Sequence, residues 1–191
     1  MVRTDPLYAT AYRAVLDGIQ GGKTRTNGVT GNRYFWRSEL SSHLRDDYGI
    51  ITRLNSSRTV GSEYRSTFRP EVGNEIVWNS AGATAIQVTN REYLDLGPAF
   101  DWFHYPPGVT APYTKEQTRG STGNGGSFTG GVSDGTYGGE RLHPGPGRDE
   151  GQKSYFTFDD EMVALGTGIS STSAAAVHTT VNQVVAKPNA R

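Results

Sequence analysis

KSYFTFDDEMVALGTGISS, Lys153 to Ser171, sets apolar runs on either side of three consecutive acids, Asp159, Asp160 and Glu161. Asp tolerates turn and left-handed backbone, so FDDEM reads as the turn of a hairpin between KSYFTF and EMVALG. Successive residues of a strand alternate faces, so the three acids cannot all point into one site. The alternative is that one acid, Glu161 at the start of the second strand, faces a cleft.

The same texture extends through the chain from about Tyr34. GIITRL (Gly49–Leu54) places Ile50, Thr52 and Leu54 on alternate positions. EIVWNSAGATAIQV gives two short runs, Ile76 with Trp78, then Thr84, Ile86 and Val88, broken at Ala81-Gly82. One helix stands before them: Asp5 as N-cap, Pro6 in the first turn, apolar residues from Leu7 to Ile19 at helical spacing, and Gly21-Gly22 as the stop. Such a helix needs a partner surface. Two stretches rich in Gly, Ser, Thr and Pro read as long loops, Pro106–Gly131 and Tyr137–Gln152. Short alternating runs with Gly, Asn and Ser breaks and no second helical pattern predict an all-β, antiparallel β-sandwich.

Composition narrows the function. Lys plus Arg and Asp plus Glu are 19 each, so no bulk charge draws the chain to nucleic acid or an anionic membrane. No apolar run approaches the ~18 residues of a membrane span, and the N-terminus has no signal-peptide core. With no Cys, disulfides, zinc-thiolate sites and Cys nucleophiles are excluded. Leu, Ile, Val and Phe make up about a fifth of the chain, a thin core for its length. The expectation is that part of the apolar complement lies in sequence outside these residues.

Few side chains offer chemistry. His43, His104, His143 and His178 show no metal-ligand spacing, and no nucleophile elbow or phosphate-binding glycine motif is present. Arg58, in NSSRTVGSEYR, follows an apolar run among small polar residues. It reads either as a solvated strand-end charge or as a planar fork for a carboxylate, as acidic sugars require. Most aromatics of a sandwich are core; Trp102, entering a long loop, is the best candidate for stacking on a sugar ring.

LNSSRTVGSEY, IVWNSAGATAIQVTNREYLDLGPAFDWFHYPPGVT, FTGGVSDGTYG, KSYFTFDDEMVALGTGISS and TTVNQ occur in that order. Together they resemble polysaccharide lyase family 8, the hyaluronate, chondroitin and xanthan lyases, over roughly Tyr34 to Gln183. Pro107-Gly108-Val109-Thr110 stands where the family has P-G-T-T, and Tyr155 where K-S-W-F has Trp. The resemblance implies a secreted, monomeric, cofactor-free carbon-oxygen lyase with an α/α-toroid followed by a large super-sandwich. Residues 1–25 would be the last toroid helix and linker, and 26–191 the first part of the β region. Such enzymes cleave uronate polysaccharides by β-elimination, with an Asn, a His and a Tyr from the toroid. No residue here carries those three over, so this chain alone is expected to be inactive. The resemblance maps a catalytic Arg onto Arg58 and a Glu onto Glu161, which would orient it, with Trp102 and Arg65 as substrate contacts. The alternative is a non-catalytic carbohydrate-binding sandwich.

Overall fold

A computed structural model describes residues 6–20, 29–59, 82–89, 91–101, 109–110, 125–144, 149–172, 174, 176 and 178–185. A 3-10 turn, Pro6–Tyr8, leads into α1, Ala9–Gln20, and among the described residues every later regular element apart from one 3-10 turn is a strand. Leu7, Tyr8, Val15 and Leu16 of this helical segment are exposed, an apolar stripe without cover. The expected Asp5 cap lies outside the described residues.

The first sheet is β1 (Gly31–Phe35), β2 (Leu40–Leu44), β3 (Gly49–Arg53) and β4 (Ala83–Gln87), each antiparallel to its neighbour. A short pair joins β5 (Val109–Thr110) to β10 (His178–Thr179). The other large sheet is β6 (Gly125–Ser133), β7 (Gly138–Pro144), β8 (Asp149–Thr157) and β9 (Met162–Ser171), again all antiparallel. The fold is thus the expected antiparallel β architecture with one N-terminal helix.

The FDDEM turn is the link between β8 and β9, closed by the Phe158 N–H donating to the Glu161 carbonyl at 2.9 Å. The second predicted loop is largely strand, and the described residues of the first, 109–110 and 125–131, are strand as well, the rest of it lying outside the described residues. Gly125–Ser133 and Gly138–Pro144 pair with each other, and β8 starts at Asp149. Their glycines mask the alternation that would reveal a strand, and cross-strand pairing rather than side-chain pattern defines them. The β6–β7 turn is locked by Asp134, whose Oδ1 accepts the N–H groups of Thr136 and Tyr137 at 2.7 Å each. Those two bonds hold its carboxyl below the usual range.

The two large sheets meet where glycine removes bulk. A Cβ on Gly131 would stand 2.6 Å from the Tyr34 ring, and one on Gly138 would overlap the Asn32 amide. Leu54 and Tyr155 are buried between them, with Tyr34 and Met162 packed alongside. The rest of this layer is polar: Asn32, Glu39, Ser41, His43 and Thr52 from the first sheet face Thr129, Glu140, Lys153 and Thr157 from the second. The far side of the second sheet is the reverse. Phe128, Val132, Phe156 and Leu165 are exposed there, and Phe128, Val132 and Phe156 line a groove of about 420 Å³ together with Gly130 and Arg141. The second sheet therefore turns its polar face inward and its apolar face outward, the opposite of a two-layer sandwich standing alone.

Candidate active site

Arg58 sits on the turn that follows β3. Ser56 shapes this turn: its hydroxyl accepts the Arg58 N–H at 3.1 Å, its carbonyl accepts the Thr59 N–H at 3.2 Å, and its own N–H donates to Thr59 Oγ1 at 3.3 Å. Two small hydroxyl residues before an Arg can satisfy a tight turn locally, which is why S-S-R is visible in sequence. The Ser57 N–H donates to the Gly126 carbonyl at 3.3 Å, tying the turn to β6.

The guanidinium is held from two sides. Arg58 Nη2 donates to Glu39 Oε1 at 2.6 Å and to the Thr129 carbonyl at 2.7 Å. The Arg58 side chain is 54% exposed, whereas that of Glu39 is 1% exposed. The same carboxylate accepts the Ser56 hydroxyl at 2.8 Å and, through Oε2, the Tyr34 hydroxyl at 2.6 Å. Burial first, and then the adjacent carboxylate, pushes the Tyr34 hydroxyl well above its usual range, so it stays a protonated donor. A buried charge is tolerated only when paired and hydrogen-bonded, and three donors meet this one.

Beside this cluster lie two further buried ionisable groups on diagonal positions of β7 and β8, Glu140 and Lys153. Burial raises the carboxyl of Glu140, against a hydrogen bond from Ser41, and lowers the Lys153 ammonium. Glu140 Oε2 has no hydrogen-bond partner. Tyr155, paired with Glu140 in register, is also shifted upward, chiefly by burial.

Glu161 stands elsewhere. It is exposed at the tip of the β8–β9 hairpin. Thr129, which holds Arg58, shares a cross-strand row with Leu142, Lys153 and Gly166. Glu161 is five residues from Gly166, about 16 Å along the strand direction. The carboxylate against Arg58 is Glu39, which sequence reasoning passed over. Trp102 and Arg65 lie outside the described residues. Among the described residues no three His, Asp or Glu side chains gather as metal ligands.

Asp159 closes the hairpin onto the first sheet. Its carboxylate accepts from Arg45 Nη2 at 3.2 Å and from the Tyr137 hydroxyl at 3.0 Å.

Residues 30–190 match the family model described as polysaccharide lyase family 8, super-sandwich domain. Chondroitinase-AC of Pedobacter heparinus is 35% identical over 156 residues, 78% of this chain and 21% of that protein. A solved chondroitinase AC lyase, described with its oligosaccharide complexes, superposes with a TM-score of 0.75 at 27% identity, over 93% of this chain and 26% of its own. A Paenibacillus xanthan lyase superposes with a TM-score of 0.67 at 26% identity, over 81% of this chain and 15% of its own. The chain thus spans about a quarter or less of the relatives it matches.

Proposed function

Because this chain belongs to polysaccharide lyase family 8, we propose that it is the opening part of the β region of an enzyme that cleaves uronate-containing polysaccharide by β-elimination. The observation that carries this reading is the Arg58 guanidinium, half exposed yet immobilised by Glu39 and Thr129. The similarity to Chondroitinase-AC favours a chondroitin-type substrate over xanthan. A base takes the proton from C5 of the uronate, the electron pair forms the C4–C5 double bond, the C4–O bond breaks, and the departing oxygen takes a proton. The C5 proton becomes acidic once the neighbouring carboxylate is neutralised. Arg58 supplies that planar, permanently positive fork. Glu161, which the resemblance offered as the acid orienting Arg58, is exposed at the hairpin tip, and Glu39 takes that place against the guanidinium. Trp102 and Arg65 are kept as further substrate contacts.

In this reading the base and acid come from the toroid, so the 191-residue chain binds acidic glycan and leaves it intact. The test is ultraviolet absorbance of the unsaturated product. Arg58→Ala in a whole lyase carrying this segment is expected to slow elimination about 10- to 100-fold, the worth of a hydrogen bond to a charged group. Unchanged turnover would remove Arg58 from the site. Brisk product formation by the isolated chain would refute the division of labour, and glycan binding by whole protein without product would favour a binding module.

A further inference from the structure

We infer that Glu39 is a positioning residue for Arg58, and this rests on the proposed role of Arg58 in the lyase site. Its backbone is left-handed, with φ 52°, a region where a Glu is uncommon and strained. Closing the turn between β1 and β2 does not require this residue: Gly or Asn adopts that backbone at less cost. What only a carboxylate of this length supplies is the acceptor for Arg58, Ser56 and Tyr34 together. The Glu39 carbonyl also accepts the Leu54 N–H at 2.8 Å, so main chain and side chain both grip the segment leading to Arg58. Strain and a buried charge meet in one residue, and both are compensated by the same cluster.

At 1% exposure the Glu39 carboxylate cannot touch a substrate. Its effect on the reaction must pass through Arg58. It fixes one guanidinium nitrogen between Oε1 and the Thr129 carbonyl, and so fixes the plane of the fork. A fork already held in place loses less freedom when a uronate carboxylate meets it.

Two measurements test this. In the 191-residue chain, nitrogen NMR should show the Arg58 guanidinium protons exchanging at least about tenfold faster in Glu39→Gln, with backbone amides of β2 and β3 still protected. Unchanged guanidinium exchange overturns the inference. If Glu39→Gln does not fold, Glu39→Asn, which suits the left-handed backbone, answers the same question. In a whole lyase carrying the segment, Glu39→Gln should lower kcat about tenfold, with Glu39→Asp recovering part of the loss. Combined with Arg58→Ala, it should slow the enzyme no further than Arg58→Ala alone. Losses that multiply in the double variant would show that Glu39 acts otherwise than through Arg58. If Arg58→Ala itself has no effect on turnover, the catalytic reading of Arg58 fails, and the exchange measurement still decides whether Glu39 holds it.

Discussion

His43 Nε2 lies 2.7 Å from the carbonyl oxygen of Phe158, a bond that fastens the hairpin turn of the second sheet to the middle of the first. A carbonyl only accepts, so Nε2 carries the proton; Nδ1 is then free to accept from the Asn32 amide at 3.4 Å. Tyr48 donates to the same carbonyl at 2.7 Å. Asn32 also donates to Thr157 Oγ1 at 3.1 Å, so one buried chain of polar groups runs through both sheets. The imidazole here is neutral, fully enclosed and an element of the fold.

This sets a pH dependence. Burial lowers the His43 pKa below its ordinary value; the Arg45 charge adds to that, while the Phe158 carbonyl and Asp159 oppose it. The folded value is the lower one, so the unfolded chain takes up the proton first. Stability is complete above about pH 6.5 and is lost as pH falls from there toward the folded value. The melting temperature should drop between pH 7.5 and pH 5.5, and His43→Gln should flatten that drop. An equal drop in the variant would assign the acid sensitivity to other groups.

Gly31 has φ 114°, and a Cβ there would overlap the Gly135 carbonyl, which accepts the Asn32 N–H at 2.9 Å. Gly31→Ala therefore meets backbone strain and a rigid clash together, for a cost of about 3 kcal/mol. Gly130→Ala is the control, since its Cβ meets nothing within 4 Å. Calorimetry should show a fall of roughly 6–12 °C for Gly31→Ala and almost none for Gly130→Ala. Comparable losses would mean that neither site is set by the space around it.

The Arg45–Asp159 pair should matter far less than its position suggests. The ion pair is 3.2 Å long, but the Asp159 side chain is 66% exposed, and Arg45 also donates to the Thr136 carbonyl at 2.9 Å. Asp159→Asn is expected to cost under about 1 kcal/mol, shrinking further in 1 M salt. A loss above about 2 kcal/mol in denaturant titration, insensitive to salt, would contradict this.

Legibility in the sequence followed local chemistry. The β8–β9 hairpin, β3 and β4 were readable because turn residues bound apolar alternation there. Strands β6 and β7 were not: Gly130, Gly131, Gly138 and Gly139 carry no side chain to show a period, and the strands exist because pairing satisfies their backbone. Arg58 could be singled out because S-S-R is a local signal, and its turn is seen here, while its catalytic role is proposed. Glu39 was missed because its meeting with Arg58 depends on the pairing of Leu40 with Arg53 across β2 and β3, a matter of register rather than spacing. The thin apolar content also had a structural form, the exposed outer face of the second sheet.

That outer face yields the last prediction. Phe128 and Leu165 are 60% and 54% exposed, on a sheet whose inward face is occupied by polar groups. Apolar surface gathered on one face, beside a groove of about 420 Å³, favours self-association and dye binding in the isolated chain. Zero net charge supplies no repulsion against it. Substituting a half-exposed apolar residue by Lys on such a face changes stability by about 0.5 kcal/mol or less, because little buried contact is lost. Leu165→Lys with Phe128→Lys should thus reduce fluorescence of a hydrophobic dye and lower the sedimentation-average mass at high concentration, while the melting temperature holds within about 2 °C. In a whole lyase carrying the segment, the same pair should unfold the protein at lower temperature if another layer covers this face, and leave it unchanged if the face meets water.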